Sequence, residues 1–163
     1  MQILVISDSH GSRDPVRKLL EMHQHKVQTV LHLGDNVKDL MQFQPEYPAL
    51  TMVAVAGNCD FYSSAPAERV LTLGEVVSRR ILLLHGHSLN VKMSLDRLMY
   101  YSQEKEVDAC LFGHTHIPAV FSHGSVFFMN PGSVCLPRGM SKAGYGLLTI
   151  DDKGNITGEV LEI

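Results

Sequence analysis

No stretch of this sequence is strongly basic. Beyond the pairs Arg17-Lys18 and Arg79-Arg80 it has no run of Lys or Arg, and the formal net charge is −3. Binding along a nucleic-acid backbone needs clustered positive charge, so no specific nucleic-acid partner is expected. Cysteine is scarce. Cys59, Cys110 and Cys135 are odd in number and widely spaced. They suggest no disulfide framework and suit a reducing, cytoplasmic setting. Met1–Ile6 is apolar but too short to span a membrane, and Asp8 follows soon after. It lacks the basic lead and small-residue cleavage site of a signal peptide, and reads as a buried first strand. No repeat, linker or low-complexity segment interrupts the chain. What is present is ordinary globular composition, 45% hydrophobic and 19% charged over 163 residues. That predicts one domain spanning residues 1–163, with a real core.

Nine dispersed histidines are many for this length, and their positions matter more than their number. Apolar strands are predicted over 2–7, 29–33, 51–56, 69–73, 79–84 and 108–112. A hairpin is predicted over 119–129 with its turn at His123-Gly124, and two last strands near 144–150 and 156–161. Asp14 is the expected cap of a first helix with Pro15 at its first position. Val16, Leu19, Leu20 and Met22 or His23 form that helix's apolar side. A short helix is predicted near Val37–Gln42. Another starts at Asn90 or Ser94 and carries Leu95, Leu98 and Met99. Helices between early strands and direct connections between late ones predict a two-sheet α/β domain, with parallel crossovers first and hairpins later.

Five of these strands end in polar groups of one chemical kind: Asp8-x-His10, Gly34-Asp35, Gly57-Asn58, His85-Gly86-His87 and Gly113-His114-x-His116. Ligands of α/β sheets sit at the carboxyl ends of strands, so distant residues can converge there. Each group alone has a plain reading: Asp8, Gly34-Asp35 and Asn58 as turn residues, His85 or His87 as a hydrogen-bonded core histidine. Together they are hard to assign to turns. Imidazole with carboxylate suits first-row divalent ions, and no cysteine-pair zinc motif competes. Two such ions about 3.5–4 Å apart can clamp a phosphoryl group and acidify a water between them, with Asp35 able to bridge.

This ordered set resembles the calcineurin-like metallophosphoesterase superfamily, from Asp8 through His116. Asn130-Pro131-Gly132-Ser133 and the small size resemble its small bacterial and archaeal phosphodiesterase branch. The resemblance implies a two-sheet β-sandwich flanked by helices, a four-layer arrangement. It implies one metal held by Asp8, His10, Asp35 and His116, and a second held by Asp35, Asn58, His85 and His114. It also implies in-line attack of a bridging hydroxide on a small phosphodiester, giving a phosphomonoester and an alcohol or phenol. Mn is favoured by the resemblance, while the ligand set also accepts Fe, Co, Ni or Zn. Many members carry His where this chain has Cys59. That residue sits near the leaving group, oriented by the next Asp, here Asp60. A thiol is a weaker electrostatic partner than imidazolium, which implies a bias toward good leaving groups. The plain alternative is that Cys59 only packs.

Several further residues have two readings each. His87 either touches phosphate or orients a ligand, or makes a turn hydrogen bond. Arg138 either reaches a substrate phosphate or buttresses the Asn130–Ser133 turn, the latter slightly favoured. His32 reads as a core-edge histidine. His23, His25 and His123 read as surface residues, and Cys110 as plain core. Base rates for small α/β domains allow a homo-oligomer. The competing function is a non-catalytic scaffold or regulatory module on the same fold, as in relatives from protein-trafficking complexes. Such relatives tend to lose metal ligands, whereas this chain keeps every expected one.

Overall fold

A computed structural model describes residues 1–163. In chain order the elements begin with β1 (Gln2–Ile6), α1 (Arg13–His23), β2 (Thr29–His32), α2 (Lys38–Met41) and β3 (Thr51–Ala54). There follow β4 (Glu68–Leu73), β5 (Arg79–Leu84), a 3-10 turn at His87–Leu89, α3 (Asp96–Glu104) and β6 (Ala109–Phe112). The chain closes with β7 (Ala119–His123), β8 (Val126–Asn130), β9 (Gly144–Ile150) and β10 (Ile156–Glu162).

β1 is central because it is apolar on both faces. Leu4 and Ile6 pack under Val16, Leu19 and Leu20 of α1 and Leu40 of α2. Ile3 and Val5 point the other way, against Ile81, Leu83 and Leu111 of the second sheet. Alternation along a strand produces this split, since successive side chains leave opposite faces. On the second sheet, Leu82, Leu84, Cys110 and Phe112 pack outward against Leu98 of α3. The result is helix, sheet, sheet, helix, as the sequence and its resemblance imply. The first sheet has the order β10-β9-β1-β2-β3 and the second β4-β5-β6-β8-β7. β1, β2 and β3 are parallel, as are β5, β6 and β8, so in each sheet three strands end at one rim.

The structure corrects several sequence expectations. Parallel pairs do not all precede the hairpins: the β4–β5 hairpin opens the second sheet, and its parallel core follows. Ser12, not Asp14, flanks the start of α1, because a turn from Ser9 to Ser12 already aligns the chain. α3 begins at Asp96, later than Asn90 or Ser94, because Asn90 takes φ 56° and terminates the preceding 3-10 turn. Ser94 instead accepts the Asp96 N–H through its hydroxyl at 3.1 Å. His23 is no surface residue. It continues the Val16, Leu19, Leu20 stripe into the core against Tyr145, while Met22 is exposed.

In the layer between the sheets, Leu111 and its neighbours are wholly removed from water. Leu111→Ala should lower unfolding free energy by about 2–5 kcal/mol in a urea titration. Val76→Ala, at a position 70% exposed, should change it by less than about 0.5 kcal/mol.

Candidate metal centre

Because β1 and β2 are parallel neighbours, the loops leaving them run side by side. Asp8 N–H donates to the Gly34 carbonyl at 3.0 Å and Ser9 N–H to the Asp35 carbonyl at 3.2 Å. In the second sheet, Gly113 N–H donates to the His85 carbonyl at 3.1 Å, which sets His114 beside His85. The two rims are then joined. His114 N–H donates to Asp8 Oδ2 at 3.1 Å, and His85 Nδ1 donates to the Leu33 carbonyl at 2.7 Å. Residues separated by as much as 106 positions thus face one another.

The loops are strained at the candidate ligand positions. Asp8, His10, Asp35, His114 and His116 have φ of 54°, 44°, 61°, 69° and 61°. L-residues rarely adopt this left-handed region, and each such placement costs about 1–3 kcal/mol unless the surroundings enforce it. Enforcement comes from close backbone approach. A Cβ on Gly34 would lie 2.7 Å from both the Gly57 nitrogen and His85 Nδ1, and one on Gly57 would overlap the Asp35 carboxylate.

Asp8, His10, Asp35 and His116 bring one ligand atom each within 4.8 Å of one another, and Asp35, His85 and His114 do the same. Asp35 belongs to both groups. Two observations fit this set to cations. His85 and His116 each commit Nδ1 to a backbone carbonyl, of Leu33 at 2.7 Å and Leu136 at 2.6 Å. Nδ1 must therefore carry hydrogen, which in the neutral ring leaves the Nε2 lone pair facing inward. There His85 Nε2 lies 3.4 Å from Asp35 Oδ1, and His116 Nε2 lies 3.2 Å from Asp8 Oδ1. Lone pair then opposes lone pair unless a positive charge intervenes. In addition, Asp8 Oδ1 is buried without a hydrogen-bond donor, while Oδ2 is bonded by Ser7 Oγ at 2.6 Å. The donors suit a binuclear divalent-metal centre.

The electrostatics agree. Burial alone would raise the Asp8 carboxyl, but the neighbouring His116 and His85 and the Ser7 hydroxyl outweigh it and hold it low. Asp35 is likewise held far below the usual carboxylate range, with burial opposed by His85 and by the Cys59 amide. His116 is raised, chiefly by Asp8. His114 falls to about 4, through burial and the charge of His85.

The remaining predicted residues sit around this cluster. Asn58 is exposed at the rim, its amide donating to Cys59 Sγ at 3.5 Å. Cys59 meets Asp35 through its backbone N–H, at 2.8 Å from Oδ1. Its thiol is pushed up to about 11 by partial desolvation and then by Asp35. Asp60 uses both oxygens on backbone: Oδ1 accepts from Asn36 and Val37, each at 3.0 Å, and Oδ2 from Gly57 at 2.8 Å. These bonds tie the Asp35 loop to the Asn58 loop. His87 is half-buried, 5.4 Å from the His85 ring and 6.1 Å from His114, and its Nδ1 is buried without a partner. Arg138 does not buttress the Asn130–Ser133 turn. The Asn130 side chain does that, accepting Gly132 N–H at 2.9 Å and donating to the Gly113 carbonyl.

Sequence reasoning missed a supporting network. His32 is fully buried, not at the core edge. Its Nδ1 accepts Gly34 N–H at 3.1 Å, so Nε2 carries hydrogen and donates to Ser9 Oγ at 3.0 Å. Ser9 Oγ in turn lies 2.8 Å from Asp39 Oδ2, which also accepts Gly11 N–H at 2.7 Å. This chain fixes the backbone on both sides of His10. Only Ser9-His10 adjacency hinted at it; nothing local marks Asp39 in its short helix as buried.

Comparison with known proteins places this geometry. The calcineurin-like phosphoesterase superfamily domain matches residues 1–153. The chain belongs to that superfamily. This calcineurin-like protein is 35% identical over 153 residues to a Bacillus subtilis protein named probable metallophosphoesterase YsnB, covering 93% of this chain and 86% of that one. It is 30% identical over 174 residues to phosphodiesterase YfcE of Escherichia coli K12, covering 93% and 89%. A crystal structure from Streptococcus pneumoniae TIGR4, of a protein described as a predicted phosphoesterase, matches with TM-score 0.80 at 34% identity, covering 99% and 88%. With the ligand cluster described above, these relationships make the chain a metal-dependent phosphoesterase.

Two measurements follow from this geometry. Asp39→Asn should weaken Mn binding by about 10–100-fold in calorimetric titration, because it disturbs the network behind His10. Unchanged affinity would show that the network does not position the site. Mn at about 100 times its dissociation constant should stabilise the fold by about 2.7 kcal/mol, read as a higher Tm that a chelator reverses.

Proposed function

We propose that the chain hydrolyses small phosphodiesters with two divalent ions, Mn in preference. Asp8, His10, Asp35 and His116 would hold one ion, and Asp35, Asn58, His85 and His114 the other. The observation that carries this reading is that Asp35 belongs to both ligand groups. When bound, the ions supply Lewis acidity for the phosphoryl oxygens and bring the pKa of water toward neutrality. Residues 1–163 act as one domain in a reducing cytoplasm, where all three cysteines stay free.

The chain's own residues do the rest. Cys59 N–H keeps the Asp35 carboxylate turned between the two groups. The Cys59 thiol stays protonated at neutral pH and can give its proton to the leaving oxygen as the P–O bond breaks. His87 stands half-buried beside the His85 and His114 rings, placed to orient those ligands. Asp60 acts through backbone only, holding the Asn58-Cys59 loop at the cluster. Water contributes the new P–O bond, and the products are a phosphomonoester and an alcohol or phenol.

Metal-stripped protein should hydrolyse a bis-aryl phosphodiester only after Mn is restored, and His114→Ala should abolish the activity. No turnover with any divalent ion would sink the enzyme reading of this site and favour a scaffold. Cys59→His should raise turnover of alkyl diesters about tenfold more than that of aryl diesters, since a weak leaving group gains most from a stronger acid. Equal effects on both classes would assign Cys59 to packing.

A further inference from the structure

Two clefts adjoin the metal centre. One, about 210 Å³, runs past Asn36 and Cys59 to Phe61 and Tyr62. The other, about 450 Å³, opens beside Thr115, which lies between His114 and His116. Its walls are apolar: Val91 and Phe112 are buried, Leu95 is half-buried, and Ile117 is 48% exposed. Lys92 and Arg138 are its only charged lining residues. Both side chains are exposed, and neither takes part in an ion pair or hydrogen bond. In a chain of net charge −3, a cleft with two free cations and no acid is distinctive.

Arg138 is not there by loose accident of a surface loop. Its N–H donates to the His116 carbonyl at 3.1 Å, and its own carbonyl accepts the Ser141 hydroxyl at 2.6 Å. The backbone is fixed to a candidate ligand residue while the guanidinium stays uncommitted. Thr115, flanked by His114 and His116, is part of the cleft wall, so the cleft borders the centre.

We propose that this cleft receives the retained arm of the phosphodiester, and that the arm is apolar near phosphorus and carries an anionic group further out. The inference rests on the phosphodiesterase reading and adds a substrate class to it. The leaving arm belongs in the smaller cleft, which Cys59 lines. The larger cleft is then left for the retained arm. Its volume suits a single ring, apolar walls take the ring's faces, and two cations take a carboxylate or phosphate.

The test uses Mn-loaded protein and two diesters that both release p-nitrophenol. The retained arm is 4-carboxyphenyl in one and 4-methylphenyl in the other. Wild type should favour the carboxylated diester, chiefly through KM. Lys92→Gln with Arg138→Gln should shrink that preference about tenfold. Leu95→Trp, which fills the cleft, should raise KM for both diesters. Absence of a wild-type preference, or one that survives the double substitution, overturns the charged-arm assignment. Unchanged KM in Leu95→Trp overturns the cleft itself. If wild type hydrolyses neither diester, the phosphodiesterase reading falls and takes this inference with it.

Discussion

Asp8 is a fully buried carboxylate satisfied on one side only. Oδ2 takes hydrogen bonds from Ser7 and from the His114 backbone, and Oδ1 takes none. Its carbonyl accepts the Ser133 hydroxyl at 2.7 Å. One residue thus links the end of β1 to the loop after β6 and to the loop after β8. Burying a charge with an open oxygen costs several kcal/mol, and proteins accept that cost where a counter-charge arrives. The rest of the site is arranged around supplying it: inward-facing imidazoles, a second carboxylate in Asp35, and loops too tight to relax away.

The tightness originates in the sheets. Three parallel strands in each sheet end at one rim, so the loops are anchored along their length before they diverge. Packing of Ile3, Val5 and Leu31 against Ile81, Leu83 and Leu111 then fixes the distance between rims. Left-handed backbone at five candidate ligands persists because neither sheet can move to relieve it. Gly34, Gly57 and Gly113 permit the contact, since any side chain there would enter Asp8, Asp35 or His85. Core packing, backbone strain and metal affinity are in this sense one problem solved together.

Much of this was legible because the strands announce themselves. β1, β2, β5 and β6 are apolar runs followed within three residues by Asp or His, and a polar group at a buried strand end has few other uses. The helix starts were less legible. Ser12 and Asp14 are both good cap residue types, and the turn from Ser9 to Ser12 chooses between them. The order of strands was illegible locally, since β4–β5 and β9–β10 are similar hairpins that join different sheets. Asp39 and His32 escaped notice because their importance lies in partners 30 and 23 residues away, Ser9 in both cases. Arg138 was misjudged for a related reason: its neighbour turn closes on its own asparagine and leaves the arginine free.

Asp8, His10 and Asp35 extend from the first sheet; His85, His114 and His116 extend from the second. Ions held among them would fasten the two sheets at one rim, much as a cross-link fastens two sides of a loop. The other rim has no such ligand set; there Arg79 of β5 donates to the Gly154 carbonyl in the β9–β10 turn at 2.7 Å, and packing does the rest. Loss of metal would therefore do more than silence chemistry. It would unlatch one edge of the sandwich, letting the sheets shear about their apolar layer and exposing strand ends to proteases. The lifetime of this protein in a cell would then follow the supply of its metal.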